Sequence, residues 1–229
     1  MKTKSKALLL ALCAVLLVAA SVLGTLAYLT SQDQVTNTFT VGKVEINLDE
    51  KDVTKSDDSR TEIGNEYHLL PGQTYVKDPT VTILEGSESS YVRMIVKVSN
   101  YSNLKAAFPS NKYPTWYNGN DFLLQYLVTG WDASKWVSTK TVTVKDDIAT
   151  YEFRYYTTVA GPVENNDNTK DGNKLEPLFT NIVVPGTVNN SELLNLQNVT
   201  ITVQAHAIQA KGFENDEVGA WTAFGNQNP

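Results

Sequence analysis

Two histidines, His68 and His206, are the side chains in this sequence of 229 residues best suited to bind a metal or move a proton. Zinc peptidases usually need two histidines one helical turn apart and a nearby glutamate, because that spacing points both imidazoles at one ion. Neither histidine here has a histidine partner nearby in the chain. They are candidate metal ligands only if the fold brings them together, and the sequence predicts no metal and no other cofactor.

Nucleophilic catalysis has no better support. The single cysteine, Cys13, lies in an apolar N-terminal run, and the chain contains no Gly-x-Ser-x-Gly motif. The 25 aspartates and glutamates always provide accidental carboxylate pairs, so their number does not exclude glycoside hydrolysis, but no pair stands out. The sequence therefore predicts a protein that is not an enzyme.

Two further patterns concern ligand binding. Residues 167–172 resemble the opening of a calcium loop, but Leu178 occupies the position of the bidentate glutamate, which favours a polar turn. An aromatic-rich middle segment either stacks on sugars or belongs to the core, since large aromatic side chains dominate packing. That segment contains Trp116, Tyr117, Trp131 and Trp136.

The pattern of residues at the N-terminus predicts an export signal. Lys2, Lys4 and Lys6 precede an uncharged apolar run over residues 7–24, and small residues around Ala27 offer a cleavage point before Tyr28. A retained membrane anchor is the alternative, because the run is about as long as the shortest spanning helices. We expect residues 1–27 to be removed and residues 28–229 to form a single secreted domain.

The charge of that domain limits its partners. Without the three leading lysines the chain has 16 basic and 25 acidic residues, a formal net charge of −9. Nucleic acid is excluded as a partner, because phosphates demand clustered lysine and arginine and no cluster follows Lys6.

Period-two alternation of apolar and polar residues is the main structural signal. It is clearest over residues 91–98 and 199–207, and it recurs near Val81, near Val142 and over residues 151–159. Strands with one apolar face are typical of antiparallel sheets. The sequence predicts an all-β, antiparallel two-sheet β-sandwich of jelly-roll type with a few short helices in the connections.

The helical candidates are short and lie between these strands. Ser191 is the expected cap of the third one, and Gly225 is the expected stop of the last. The four segments are Asn103 to Phe108, Asp121 to Val128, Ser191 to Leu196 and Glu217 to Phe224.

The segment after the expected cut, residues 28–48, is a candidate donor strand. A glycine bulge at Gly42 would place five apolar side chains on one face, because the bulge shifts the alternation by one residue. Those side chains are Phe39, Val41, Val44, Ile46 and Leu48. The net energy of burying them is small, so the strand can fill a groove in its own subunit or in a neighbour.

Several blocks resemble the TasA/camelysin family, whose members are exported through a SipW-type signal peptidase. The resemblance starts with Gly24–Thr30 and Asn37–Ile46 and continues through later blocks across nearly the whole chain, except residues 101–140. Those later blocks are Leu70–Gln73, Lys77–Pro79, Tyr91–Arg93, Val203–Ala210 and Ala220–Trp221.

The resemblance implies a jelly-roll protein of a Gram-positive cell surface or extracellular matrix that self-associates into biofilm fibres or joins related matrix subunits. In the TasA branch an N-terminal strand of one subunit completes the sheet of the next. A surface module that binds carbohydrate or protein is the alternative, with polysaccharide as its partner. Camelysin-like members are described as metalloproteases. The two isolated histidines argue against that activity for this chain.

Overall fold

The computed structural model describes residues 3–29, 42–109, 127–139, 142–163 and 172–227. The chain divides into two compact units, residues 1–41 and residues 42–229. The first unit contains one helix, α1 (Thr3–Leu29), whose Thr3–Ala20 part is long and apolar enough to cross a membrane, a property that N-terminal signal sequences share. The expected cleavage point, Ala27–Tyr28, lies in the last turn of α1.

Antiparallel strands are the main regular elements of the second unit. The strands are β1 (Ile46–Lys51), β2 (Arg60–Thr61), β3 (Thr74–Val76), β4 (Thr80–Leu84), β5 (Ser90–Val98), β6 (Val128–Thr129), β7 (Trp136–Ser138), β8 (Thr143–Lys145), β9 (Ile148–Tyr155), β10 (Gly172–Lys174), β11 (Asn181–Val183) and β12 (Ile201–Gln209). They form three sheets, in the orders β10-β4-β1-β2, β3-β11-β6 and β12-β5-β9-β7, with β8 also paired to β9. The mainly β, antiparallel class expected from the alternation is confirmed.

One apolar core draws residues from all three sheets. The alternating residues Val92, Met94 and Val96 of β5 are at most 1% exposed, and so are Val81 and Ile83 of β4. The β9 residues predicted to alternate inward, Tyr151, Phe153 and Tyr155, are also buried. The period-two pattern therefore identifies the central strands correctly, because each has one dry face.

In the part of the chain that the structure describes, three helices lie between or after the strands: α2 (Tyr101–Ala107), α3 (Asn190–Leu194) and α4 (Glu217–Gln227). The cap of α3 is Asn189 rather than Ser191, because the Asn189 side chain accepts a hydrogen bond from the backbone N–H of Glu192 and the Glu192 carboxylate accepts one from that of Asn189. Helix α4 continues past Gly225. The helix expected up to Val128 is wrong at its end, since Val128 lies in β6, while residues 121–126 lie outside the described residues.

Polar side chains bind β1 to its neighbours in the first sheet. The Arg60 guanidinium contacts the Asp49 carboxylate, donates to Asp78 Oδ2 at 2.7 Å and donates to Thr80 Oγ1 at 3.0 Å. Next to it, the buried Lys77 ammonium lies 2.6 Å from Glu50 Oε2. Charge-assisted hydrogen bonds of this kind are stronger than neutral ones, so β1 is held in the sheet of its own chain.

Gly161 marks a close approach of two backbone segments. A Cβ at this position would lie 2.0 Å from the Leu84 carbonyl oxygen, whereas a Cβ at exposed Gly64 would meet nothing within 4 Å. We expect Gly161→Ala to lower the free energy of unfolding by about 1–3 kcal/mol, the usual cost of overpacking. Urea denaturation measures the change, with Gly64→Ala as the control. Equal midpoints for the two variants would contradict the prediction.

Candidate functional site

The free edge of β12 is the candidate site. A backbone hydrogen bond lies at each end of the pairing between β12 and β5. One runs from Ser99 N to Thr200 O (3.0 Å), and the other from Ala210 N to Ser89 O (2.8 Å). Opposing residue pairs in an antiparallel ladder alternate between hydrogen-bonded and non-hydrogen-bonded pairs. Because Thr200 and Ala210 are both hydrogen-bonded, the even-numbered residues of β12 form the backbone hydrogen bonds to β5. The backbone N–H and C=O groups of Ile201, Val203 and Ala205 therefore point away from β5, and no strand in the described part of the chain pairs with them.

The inner face of β12 is incompletely covered. Ile201, Val203, Ala205 and Ala207 pack against the core but are only half-buried, unlike the buried residues of neighbouring β5. Partly exposed apolar residues beside unpaired backbone groups form a template for another strand. The edge thus offers both main-chain hydrogen bonds and an apolar surface.

Strand β1 lies close to β12, and it too has a stretch that no strand of the described residues pairs with on one side. The Leu84 N–H donates a hydrogen bond to the Glu45 carbonyl (2.9 Å), so the odd-numbered residues of β1 are the ones hydrogen-bonded to β4. The backbone groups of Ile46 and Leu48 therefore point away from β4. On that side β2 pairs only with Glu50 and Lys51. The side chains of Ile46 and Leu48 pack on the core but are only half-buried, like those of the inner face of β12.

A groove of about 780 Å³ lies beside the first residues of β12. Its apolar lining includes Leu69, Leu104, Leu127, Leu193 and Ile201. Ile201 belongs to both the groove and the free edge, so the two features are continuous. An extended segment bound along β12 would have apolar side-chain space at this end.

Helix α4 covers the outer face of the other end of β12. Ile208 is buried together with Ala220 and Trp221, and Tyr91, Phe213 and Phe224 pack around them. This small cluster closes the outer face near Ile208, whereas Thr202 and Gln204 stay exposed. Helix α4 therefore covers one end of the outer face of β12 and leaves the other end exposed.

Arg93 and His206 lie together under α4. Arg93 Nε donates to His206 Nδ1 at 3.2 Å, and its guanidinium lies 4.3 Å from the centre of the Trp221 ring. The His206 ring stacks on Phe224 with the centroids 4.8 Å apart. Glu152 lies 3.7 Å from the Arg93 guanidinium, and Arg154 and Glu217 continue the charge network. His206 has the outward position expected from the alternation, and its contacts are structural.

Acid is expected to weaken the packing of α4. Burial, followed by the charges of Arg93 and Lys97, lowers the pKa of His206, whereas Glu152 acts in the opposite direction. The unfolded chain therefore takes up this proton at higher pH than the folded chain. The contribution of His206 to stability is fully present above about pH 6.5 and is lost as the pH falls through the lower pKa of the folded state.

The test compares His206→Gln, which keeps an acceptor for Arg93 but cannot be protonated, with the parent chain. We expect the variant to show a smaller loss of urea midpoint between pH 7.5 and pH 5. His68→Gln is the control, since His68 is exposed and lies in the loop before β3. Parallel pH profiles for the parent and His206→Gln would contradict the assignment.

The described residues contain no group of three or more His, Cys, Asp or Glu side chains that could hold a metal ion. His68 is exposed and its carbonyl accepts from the Tyr75 hydroxyl at 2.8 Å, while His206 is engaged with Arg93. The two candidate metal ligands share no contact in the described part of the chain. Residues 167–171 of the suspected calcium loop lie outside the described residues, and Gly172 begins β10.

The predicted donor-strand face falls into two parts. Phe39 and Val41 lie outside the described residues, and Val44 is half-buried. Ile46 and Leu48 pair with β4 of the same chain and pack on its core. Ile46 and Leu48 are therefore part of the chain's own sheet, which differs from the donor role predicted for them.

The tryptophans of the suspected sugar surface serve the core where they are described. Trp136 is fully buried, and its indole N–H donates to the Glu176 carbonyl at 2.9 Å. Trp131 is half-buried, donates to the Trp136 carbonyl at 2.7 Å and packs edge-on against Phe153. Trp116 and Tyr117 lie outside the described residues.

Comparison with known proteins adds no relative: no family model, curated protein or solved structure matches this chain.

Proposed function

We propose that this chain is an exported structural protein of a Gram-positive cell surface or matrix, which assembles into biofilm fibres by adding a strand to the free edge of β12. The observation that carries the proposal is the combination, on one nine-residue strand, of a half-exposed apolar face and backbone groups that no strand in the described residues pairs with. Strand addition uses both, because main-chain bonds supply affinity and alternate side chains supply register. The jelly-roll sandwich and the TasA/camelysin relationship belong to the same proposal.

The donor in this proposal is residues 28–41 of a second copy or of a related matrix subunit. Phe39 and Val41 share one parity and would face the core, whereas Thr38 and Thr40 would face solvent. The small side chains of Ala205 and Ala207 on the receiving strand leave room for a large one opposite. Export supplies the donor, because cleavage between Ala27 and Tyr28 by a SipW-type signal peptidase would place the segment at a free N-terminus.

The test compares the chain starting at Tyr28 with the chain starting at Gly42 by electron microscopy and sedimentation. The second chain retains the whole compact unit that holds the core. We expect filaments from the first and dispersed protein from the second. A Phe39→Asp/Val41→Asp variant should also stay dispersed, while the matched Thr38→Asp/Thr40→Asp variant should assemble. Filaments from all four chains would overturn strand addition by this segment.

A further inference from the structure

A second recess lies on the same unit, at the end of β9. Residues 155–160 and 173–176 line it together with Lys135, and its volume is about 680 Å³. Small-molecule sites commonly occupy clefts of about 300–1,000 Å³, so this one has a suitable size. None of the features used for strand addition contributes to it.

An oriented carboxylate lies in this cleft. The Tyr155 hydroxyl donates to Glu176 Oε2, and Lys135 Nζ lies 3.4 Å from Glu176 Oε1. The hydrogen bond from Tyr155 is the main cause that lowers the pKa of Glu176, with the lysine as a weaker one. Each carboxylate oxygen has more than one acceptor position, so Glu176 can also accept from hydroxyl groups of a ligand.

An exposed aromatic ring forms one wall. Tyr156 is 54% exposed, and the centre of its ring lies 5.0 Å from the ring centre of buried Tyr155. Lys135 Nζ lies 4.7 Å from the Tyr156 ring centre. Neighbours therefore hold the ring in place while much of it faces solvent, an arrangement suited to packing against the apolar C–H face of a sugar.

Both donors and acceptors stand on the rim. The Thr157 and Thr158 hydroxyls and the Lys174 ammonium have no hydrogen-bond partner among the described residues. The Asn173 amide nitrogen donates to the Ala160 carbonyl at 3.3 Å, which leaves the Asn173 side-chain oxygen as an acceptor. A ligand with many hydroxyls, each both donor and acceptor, matches this mixture better than a single charged group does.

We propose that the cleft between Tyr156 and Glu176 binds a neutral or N-acetylated hexose unit of a polysaccharide. An anionic sugar fits less well, because Glu176 already pairs with Lys135, the chain carries a formal net charge of −6, and Lys174 is the one lining cation without an ion pair in the described residues. Tyr156 stacks on the sugar ring and Glu176 accepts from its hydroxyls. The site is independent of the proposed assembly.

The experiment is calorimetric titration of the chain starting at Tyr28 with cellohexaose and with chitohexaose, using polygalacturonate as the anionic probe. We expect heat of binding from at least one neutral oligosaccharide. Tyr156→Ala should weaken it about tenfold while Tyr156→Phe, which keeps the ring, stays near the parent value. Val137→Ala, an exposed change outside the cleft, is the control.

We expect Tyr156→Ala and Tyr156→Phe to have the same melting temperature as the parent. A loss of binding would then reflect a role of Tyr156 in binding and not in folding. No heat from either neutral oligosaccharide at millimolar concentration overturns the proposal, and binding of polygalacturonate alone overturns the neutral class. Equal affinities of Tyr156→Ala and the parent would also overturn the cleft as the site. A positive result leaves the assembly proposal unaffected, because filament formation is measured separately.

Discussion

Replacing Ala205 with lysine is expected to abolish filament formation while leaving the protein folded. Ala205 lies on the half-buried inner face of β12, and its backbone N–H and C=O point to the free edge. An inward-pointing charge on an edge strand blocks the addition of another strand, because the ammonium would be buried without a partner. In the unassembled protein the lysine stem can reach solvent across the open edge.

The matched control is Gln204→Lys, which adds the same charge one residue away on the exposed outer face. We expect this variant to form filaments at nearly the parent yield, as measured by sedimentation and electron microscopy. Circular dichroism and thermal melting establish that both variants are folded. Normal filaments from folded Ala205→Lys would rule out β12 as the receiving edge.

The second large effect concerns the buried ion pair between Lys77 and Glu50. Their side chains are 8% and 9% exposed, and the two charged atoms lie 2.6 Å apart. We expect Lys77→Met to lower the free energy of unfolding by about 3–5 kcal/mol, because the Glu50 carboxylate loses its counter-charge in a poorly solvated place. The Asn65 side chain would remain as its partner, at 2.8 Å.

Urea denaturation at pH 7 measures this effect, with Lys43→Met as the control. Lys43 forms a similar pair with Glu45, but both side chains are about half exposed, so its loss should cost less than about 1 kcal/mol. The double variant Lys77→Met/Glu50→Gln should regain much of the stability, since no charge is left unpaired. A loss at Lys77 no larger than at Lys43 would contradict the prediction.

The central strands were predictable because their signal is local. The side chains of Val92, Met94, Val96 and Val98 alternate with neighbours that are polar except for Tyr91 and Ile95, and burial of one face follows from that alternation. The same holds for Tyr151 and Phe153 in β9. A pattern of this length leaves little choice of structure, because a shift of one residue would expose the whole apolar face.

The short strands were not predictable, because pairing with a longer stretch of chain defines them and their own residues do not. Strands β2 and β6 have two residues each; β2 pairs with the preceding strand, β1, whereas β6 pairs with β11, which is far away in the sequence. Two residues carry no measurable alternation. The helix expected to reach Val128 fails for this reason, since pairing between Val128 and Ile182 decides the local structure.

The candidate site was only partly predictable. The alternation of apolar and polar residues in β12 identified its inner face. The same alternation occurs in strands inside a sheet and in strands at its edge, so it could not predict that β12 is an edge strand. The pattern in Ile46 and Leu48 likewise suits a donated strand and a strand of the same chain, and only the pairing with β4 distinguishes them. The cleft beside Tyr156 has no sequence motif, because its lining comes from three separate segments.

The free edge of β12 also has a consequence for how fibres would grow. The receiving strand and the donated segment are different surfaces, so each contact is heterologous, and repetition gives an open filament when the rotation between subunits does not close a ring. A filament built this way is polar: one end carries an empty β12 edge and the other an unused N-terminal segment. A chain that starts at Gly42 could join only at the second of these ends, where it would leave no new donor and stop elongation.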